Sequence, residues 1–171
     1  IEQRIADPDR ICIAGGSYGG YVAVMGTIKT PELFKCAASF AGVMDLQSHV
    51  RSLNRLDRWE PFANQEVTEY SPKHRYKDIN TPLLLAHGAR DPIVEHKETK
   101  ALAKKLKRQG VDVTFLSFKT GDHYLRREEN RLAYAKALDE FLQKHLGLGE
   151  YAYRIDRDPS DLRALQQQMT E

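Results

Sequence analysis

The sequence predicts an α/β fold of about four mostly parallel strands flanked by helices. Three observations lead there. Four short apolar runs, at Ile11–Ala14, Cys36–Ala41, Leu83–Ala86 and Val111–Phe118, have the length and character of strands. Segments that can run as helices follow three of them, at Tyr21–Ile28, Glu95–Gln109 and Arg126–Leu146. The residues best suited to chemistry stand just beyond the carboxyl ends of these runs, the edge at which open parallel sheets place their active sites.

Taken in order, Ile1–Ala6 reads as the tail of a helix whose start is absent, and neither an initiator methionine nor a signal peptide opens the chain. The first strand then leads into Gly15-Gly16-Ser17-Tyr18-Gly19-Gly20. Strand, glycine-flanked serine and helix together form the context of G-x-S-x-G, a nucleophile elbow. The sharp turn leaves the serine oxygen exposed near the positive end of a helix. Gly15 and Gly19 are expected where side chains would collide with the elbow or the helix. By composition alone the three fixed positions would recur in about one chain in twenty of this size. A glycine-rich turn that cradles a phosphate is the plainer alternative, but G-x-G-x-x-G spacing and a Gly-Lys-Ser/Thr sequence are both missing.

An elbow of this kind expects its partners later, in the order Ser, then Asp or Glu, then His. The strand Leu83–Ala86 ends at His87-Gly88, and Asp91 follows in the loop before Pro92. The strand Val111–Phe118 is followed by Thr120-Gly121-Asp122-His123-Tyr124. Ser17 needs a base to take its proton. A histidine side chain is the usual base for such a step, and His123 suits that role. Asp91 would hold the tautomer and stabilise the imidazolium. Asp45, beyond the strand Cys36–Ala41, competes for the place of the acid. Asp122 is the weaker rival, since neighbouring side chains in a loop rarely face each other. An Asp-Pro turn at Asp91 and a surface histidine at 123 are the bland alternatives.

The other elements frame these residues. Residues 46–76 read as loops and short helices over the active-site edge, where Trp59, Phe62 and Tyr70 either line a substrate pocket or simply pack. In Glu95–Gln109, Leu102 and Leu106 point inward, while Lys100, Lys104, Lys107 and Arg108 form a solvated face that Gly110 ends. In Arg126–Leu146 the apolar stripe is Leu138, Phe141 and Leu142. Residues 1–149 are expected to form one partial catalytic domain, and 150–171 a polar tail with a short helix after Pro159.

Composition narrows the partners. Among 171 residues, 26 Lys and Arg face 24 Asp and Glu, a formal net charge of +2. This balance gives no reason to expect nucleic acid or a membrane surface as partner, and no apolar stretch approaches spanning length. The histidines lack metal-ligand spacing, so no metal or other cofactor is expected, and His87 reads as a residue inside the fold rather than a ligand. Cys12 and Cys36 read as free buried thiols. A bridge requires suitably aligned strands, so the compartment, cytoplasmic or periplasmic, stays open.

The chain also resembles the catalytic domain of the prolyl oligopeptidase family of serine peptidases, and within it the dipeptidyl-peptidase and acylaminoacyl-peptidase branches. The resembling segments are Asp7-Pro8-Asp9-Arg10-Ile11, Gly15–Tyr21, Thr30–Ala38, Tyr70-Ser71-Pro72, Thr81–Leu85, His87–Val94 and Gly121-Asp122-His123, within residues 3–147. The resemblance implies Ser17 as nucleophile, Asp91 as acid, His123 as base and the Tyr18 amide as an oxyanion-hole donor. Two positions depart from the family pattern: Tyr124, where glycine often follows the histidine, and Pro92, where a polar residue is common.

The four runs correspond to the last four strands of an α/β-hydrolase sheet, so the chain reads as the C-terminal half of that fold. Four more strands and the second oxyanion donor are expected from sequence before the elbow. The resemblance implies that this donor is a tyrosine hydroxyl, beside a β-propeller. The strand at Ile11–Ala14 is then expected to present an unpaired edge to the remaining half of its own polypeptide or to a second copy. The expected activity is hydrolysis of short peptides through an acyl-enzyme. A carboxylesterase or thioesterase-like hydrolase, and a noncatalytic assembly or binding module, are the alternatives.

Overall fold

In a computed structural model, the protein is described over residues 7–54 and 67–147. The chain runs β1 (Cys12–Gly16), α1 (Tyr18–Lys29), β2 (Cys36–Phe40), α2 (Leu46–Asn54), β3 (Leu83–Gly88), α3 (His96–Gln109), β4 (Val113–Phe118) and α4 (Glu128–Leu146). Single 3₁₀ turns at Thr68–Tyr70 and Tyr76–Asp78 lie between α2 and β3. The strands form one sheet in the order β1-β2-β3-β4, and every neighbouring pair is parallel. All four carboxyl ends therefore open on one edge.

Alternation along each strand decides what each face buries. Ala37, Leu83, Leu85 and Val113 meet Val24, Met25 and Ile28 of α1 and Leu102, Ala103 and Leu106 of α3. Cys36, Ala38 and Leu84 face the other way, onto Phe141 of α4, with Leu138 and Leu142 packed beside it. The central strand β3 is buried along its whole length. That is why Leu83-Leu84-Leu85 reads as a continuous apolar run and not as an alternation. Each such leucine contributes about 2 kcal/mol by leaving water. Lys100, Lys104, Lys107 and Arg108 lie on the exposed side of α3, as their spacing predicts. Gly110 closes α3 in the left-handed region, at φ 89°.

Among the described residues β1 has a strand partner on one side only. Ile1–Ala6, Trp59, Phe62 and the tail helix expected after Pro159 lie outside the described residues. Among those described, no helix is long and apolar enough to cross a membrane.

The cysteines correct the expectation of two free thiols. The parallel register sets Cys12 directly against Cys36, with Cα atoms 4.7 Å apart, and the two form a disulfide on the α4 face of the sheet. The deciding quantity is the register of two strands 24 residues apart, which neither strand encodes by itself.

Candidate active site

Ser17 stands between β1 and α1 with φ 55° and ψ −122°. A non-glycine residue at positive φ carries backbone strain. Here the strain is held by a hydrogen bond from the Ser17 N–H to the carbonyl of Phe40 at 2.8 Å and by the first helical bond, from Tyr21 N–H to the Ser17 carbonyl. A side chain at Gly15 would collide with the backbone of Gly19, which explains why the first glycine of the elbow is needed. The expectation for Gly19 is corrected: a Cβ there would meet nothing. The crowded position is Gly20, pressed against Ser39 and Gly42 where α1 crosses β2. Tyr18 opens α1, so its N–H is among those that the helix itself leaves without an acceptor.

The β4–α4 loop brings His123 over the elbow. Its Nε2 lies 3.0 Å from Ser17 Oγ, across 106 residues of sequence. Its Nδ1 lies 2.7 Å from Asp91 Oδ2. His123 is 7% exposed and the Asp91 side chain is fully buried. The loop is pinned to the segment just after β3 by backbone bonds from Ala89 N–H to the Phe118 carbonyl and from Arg90 N–H to the Gly121 carbonyl, at 2.8 and 2.9 Å.

Asp91 performs its turn and faces the histidine at once. Oδ1 accepts the N–H groups of Ile93 and Val94 at 2.8 and 2.9 Å, closing the loop around Pro92. Oδ2 is left for His123 and for His87, whose Nε2 is 3.0 Å away. Burial pushes this carboxyl up, but the hydrogen bonds from His87, Val94, His123 and Ile93 outweigh it and hold Asp91 well below the ordinary carboxylate range. The carboxylate thus stays charged beside His123.

The rival acids are engaged elsewhere. Asp45 accepts from Ser48 N–H at 3.0 Å, capping α2, and pairs with Lys73 at 2.9 Å. Asp122 accepts from the backbone of Tyr124 and Arg126 and pairs with the Arg126 guanidinium at 3.0 Å. It shapes the loop that carries His123. Tyr124 is exposed with its ring edge-on to His123, centroids 5.2 Å apart, and Tyr18 is equally exposed. Tyr70 is exposed, with the Lys29 ammonium 5.9 Å from its ring centre.

Two histidines in this region were given no part by sequence reasoning. His87 is fully buried near the end of β3 and touches Asp91. His49, on α2, is pushed down by burial and by the nearby charge of His123, with Asp91 opposing. The signal for His87 was its spacing of four residues before Asp91 across a tight loop. His49 gave none. Among the described residues no group of three or more His, Cys, Asp or Glu could hold a metal ion.

Chemically, a serine hydroxyl, an imidazole and a buried carboxylate in a line can transfer a proton away from the serine oxygen as it attacks a carbonyl. Comparisons with known proteins bear on the fold and the family of the chain. The dipeptidyl aminopeptidase BIII of Pseudoxanthomonas mexicana is 30% identical over 162 residues, covering 86% of this chain and 23% of that protein. A puromycin-hydrolyzing peptidase of Mycobacterium tuberculosis superposes with a TM-score of 0.78 at 28% identity, over 85% of this chain and 23% of that one. The acylaminoacyl peptidase of Pyrococcus horikoshii gives a TM-score of 0.73 at 26% identity, over 82% of this chain and 24% of that one. The chain therefore spans about a quarter of the length of these relatives. Their shared fold is the α/β-hydrolase fold of serine peptidases, and the sheet described above is part of it. The model of the prolyl oligopeptidase family matches residues 1–149, and the chain belongs to that family.

Proposed function

We propose that this chain carries the nucleophile, acid and base of a serine-type peptidase acting on short peptides. The carrying observation is the unbroken line from Ser17 Oγ through His123 to Asp91, at 3.0 and 2.7 Å. Ser17 attacks the scissile carbonyl while His123 Nε2 takes the hydroxyl proton. The Tyr18 N–H, at the start of α1, donates to the oxyanion that forms. His123 then returns the proton to the leaving amine, giving an acyl-serine. Water, deprotonated by His123, attacks the acyl carbon and releases the acid with Ser17 restored. Asp91 keeps Nδ1 protonated throughout and stabilises the imidazolium. Nothing in these steps calls for a cofactor.

One oxyanion donor alone is a weak device, because loss of a donor costs about a hundred- to a thousandfold in turnover. The edge of β1 that has no strand partner among the described residues supports a second part to the proposal. Another segment of the same polypeptide, or a second copy of the chain, pairs with β1 and supplies a second donor. Light scattering of the chain by itself separates the two: a monodisperse monomer excludes the second copy.

The substrate class is tested by comparing peptide and ester turnover in the protein that carries this chain together with its flanking sequence. A peptidase should turn over amide and ester substrates of the same acyl group. Turnover of esters alone points to an esterase or thioesterase-like enzyme. Turnover of neither points to an assembly or binding module.

A further inference from the structure

His87 has no part in the steps above, yet it is fully buried, titratable and in contact with the acid. Its tautomer follows from its neighbours. Nε2 lies 3.0 Å from Asp91 Oδ2 and 3.1 Å from the Val94 carbonyl, and both are acceptors, so Nε2 carries a proton. Nδ1 lies 2.7 Å from the hydroxyl of Thr99 on α3, which can donate to it. Thr99 is itself fully buried. A neutral imidazole with Nε2–H satisfies every contact.

The Asp91 carboxylate then accepts four hydrogen bonds: Ile93 and Val94 on Oδ1, His87 and His123 on Oδ2. These four differ in what holds them. The Ile93 and Val94 amides belong to the same turn as Asp91 and move with it. His123 belongs to the β4–α4 loop and gains and loses a proton at Nε2 during the chemistry. His87 alone is anchored in β3, the strand buried along its whole length. Without it, Oδ2 has one donor, and that donor is the group the carboxylate is meant to orient.

We infer that His87 is a positioning residue, whose Nε2–H ties Asp91 Oδ2 to the sheet and so aims it at Nδ1 of His123, with Thr99 fixing the tautomer. The inference rests on the serine-hydrolase reading above. It differs from a purely structural role in one respect: the proton donor at the Nε2 position is what counts, not the volume of the ring.

Side-chain replacements separate the two. In His87→Gln the amide nitrogen reaches the place of Nε2. In His87→Asn it reaches the place of Nδ1 and faces Thr99. His87→Leu fills similar volume with no donor. Each variant is made in the protein with its flanking sequence and checked for folding by its thermal unfolding midpoint. The rate of covalent labelling by an alkyl fluorophosphonate should fall about tenfold or more in His87→Leu and His87→Asn, and stay within about threefold of the parent in His87→Gln. The low-field proton resonance of His123 Nδ1–H, which needs no turnover, should persist in His87→Gln and shift or vanish in His87→Asn. A folded His87→Leu that labels at the parental rate overturns the inference. So does a His87→Gln no better than His87→Asn, and that pair decides the matter if His87→Leu does not fold. A parent that never labels, yet shows this proton kept in Gln and lost in Asn, sinks the hydrolase reading while upholding the contact.

Discussion

His123 Nδ1 lies 2.7 Å from Oδ2 of Asp91, and the two residues, 32 positions apart, sit in the loops that follow neighbouring strands of one sheet. The loop after β3 carries the acid and the loop after β4 carries the base, so neighbouring parallel strands deliver the pair to the same edge. The acid is buried and charged, and that combination makes it a component of stability as well as of chemistry.

The folded-state carboxyl of Asp91 is held below its ordinary value near 3.8. Its ionisation therefore stabilises the fold fully above that pH, and the contribution is lost as pH falls from about 4 through the folded value. Asp45 is also lowered: burial opposes, but the bonds from Ser48 and Lys73 outweigh it, so it adds to the same trend. Urea unfolding between pH 7 and pH 3 should show stability falling on the acid side. Asp91→Asn should flatten part of that slope and lower kcat by about 10⁴, the cost of a wrong tautomer at a triad acid. An unchanged acid limb in the variant would remove Asp91 from this role.

Gly88, at the end of β3, lies against the loop that carries the base. A Cβ there would collide with the backbone of Gly121 and Asp122. Gly88→Ala should push the Gly121–His123 segment away from Ser17. Destabilisation of about 1–3 kcal/mol is expected from overpacking, and the loss of kcat should exceed what the lost folded fraction explains. Thermal unfolding and kcat measured on the same preparation check this.

The disulfide predicts a simple mass balance. Unfolded without reductant, the chain should take up no iodoacetamide at Cys12 or Cys36, and after reduction it should take up two equivalents. For a 24-residue separation, reduction should cost about 3 kcal/mol of stability. Alkylation of the unreduced chain would show two free thiols instead.

The order Ser17, Asp91, His123 and the position of each at a strand end were legible because they depend on local signals: glycine turns, apolar runs and a loop after each. The contest between Asp91 and Asp45 was not settled by those signals. Both follow strands, and only the helix cap to Ser48 and the pair with Lys73 show where Asp45 is spent. The Cys12–Cys36 pair depends on register, a relation between segments rather than a property of either. Gly19 departs from its sequence expectation for a related reason. Symmetry about the serine suggested equal crowding, whereas the packing of α1 on β2 puts the tight contact at Gly20. His87 is interior, as its sequence context predicts, but a buried histidine looks the same in sequence whether it touches a carboxylate or a carbonyl.

The most direct measurement is covalent labelling by an alkyl fluorophosphonate, with the adduct located by mass spectrometry, in the protein that carries this chain with its flanking sequence. A strained elbow at φ 55° with His123 at 3.0 Å should give one adduct, on Ser17. The adduct should be absent in Ser17→Ala and at least about a thousandfold slower to form in His123→Ala. No adduct in the folded parent, or equal labelling of Ser17→Ala, would contradict the assignment of Ser17 as the nucleophile.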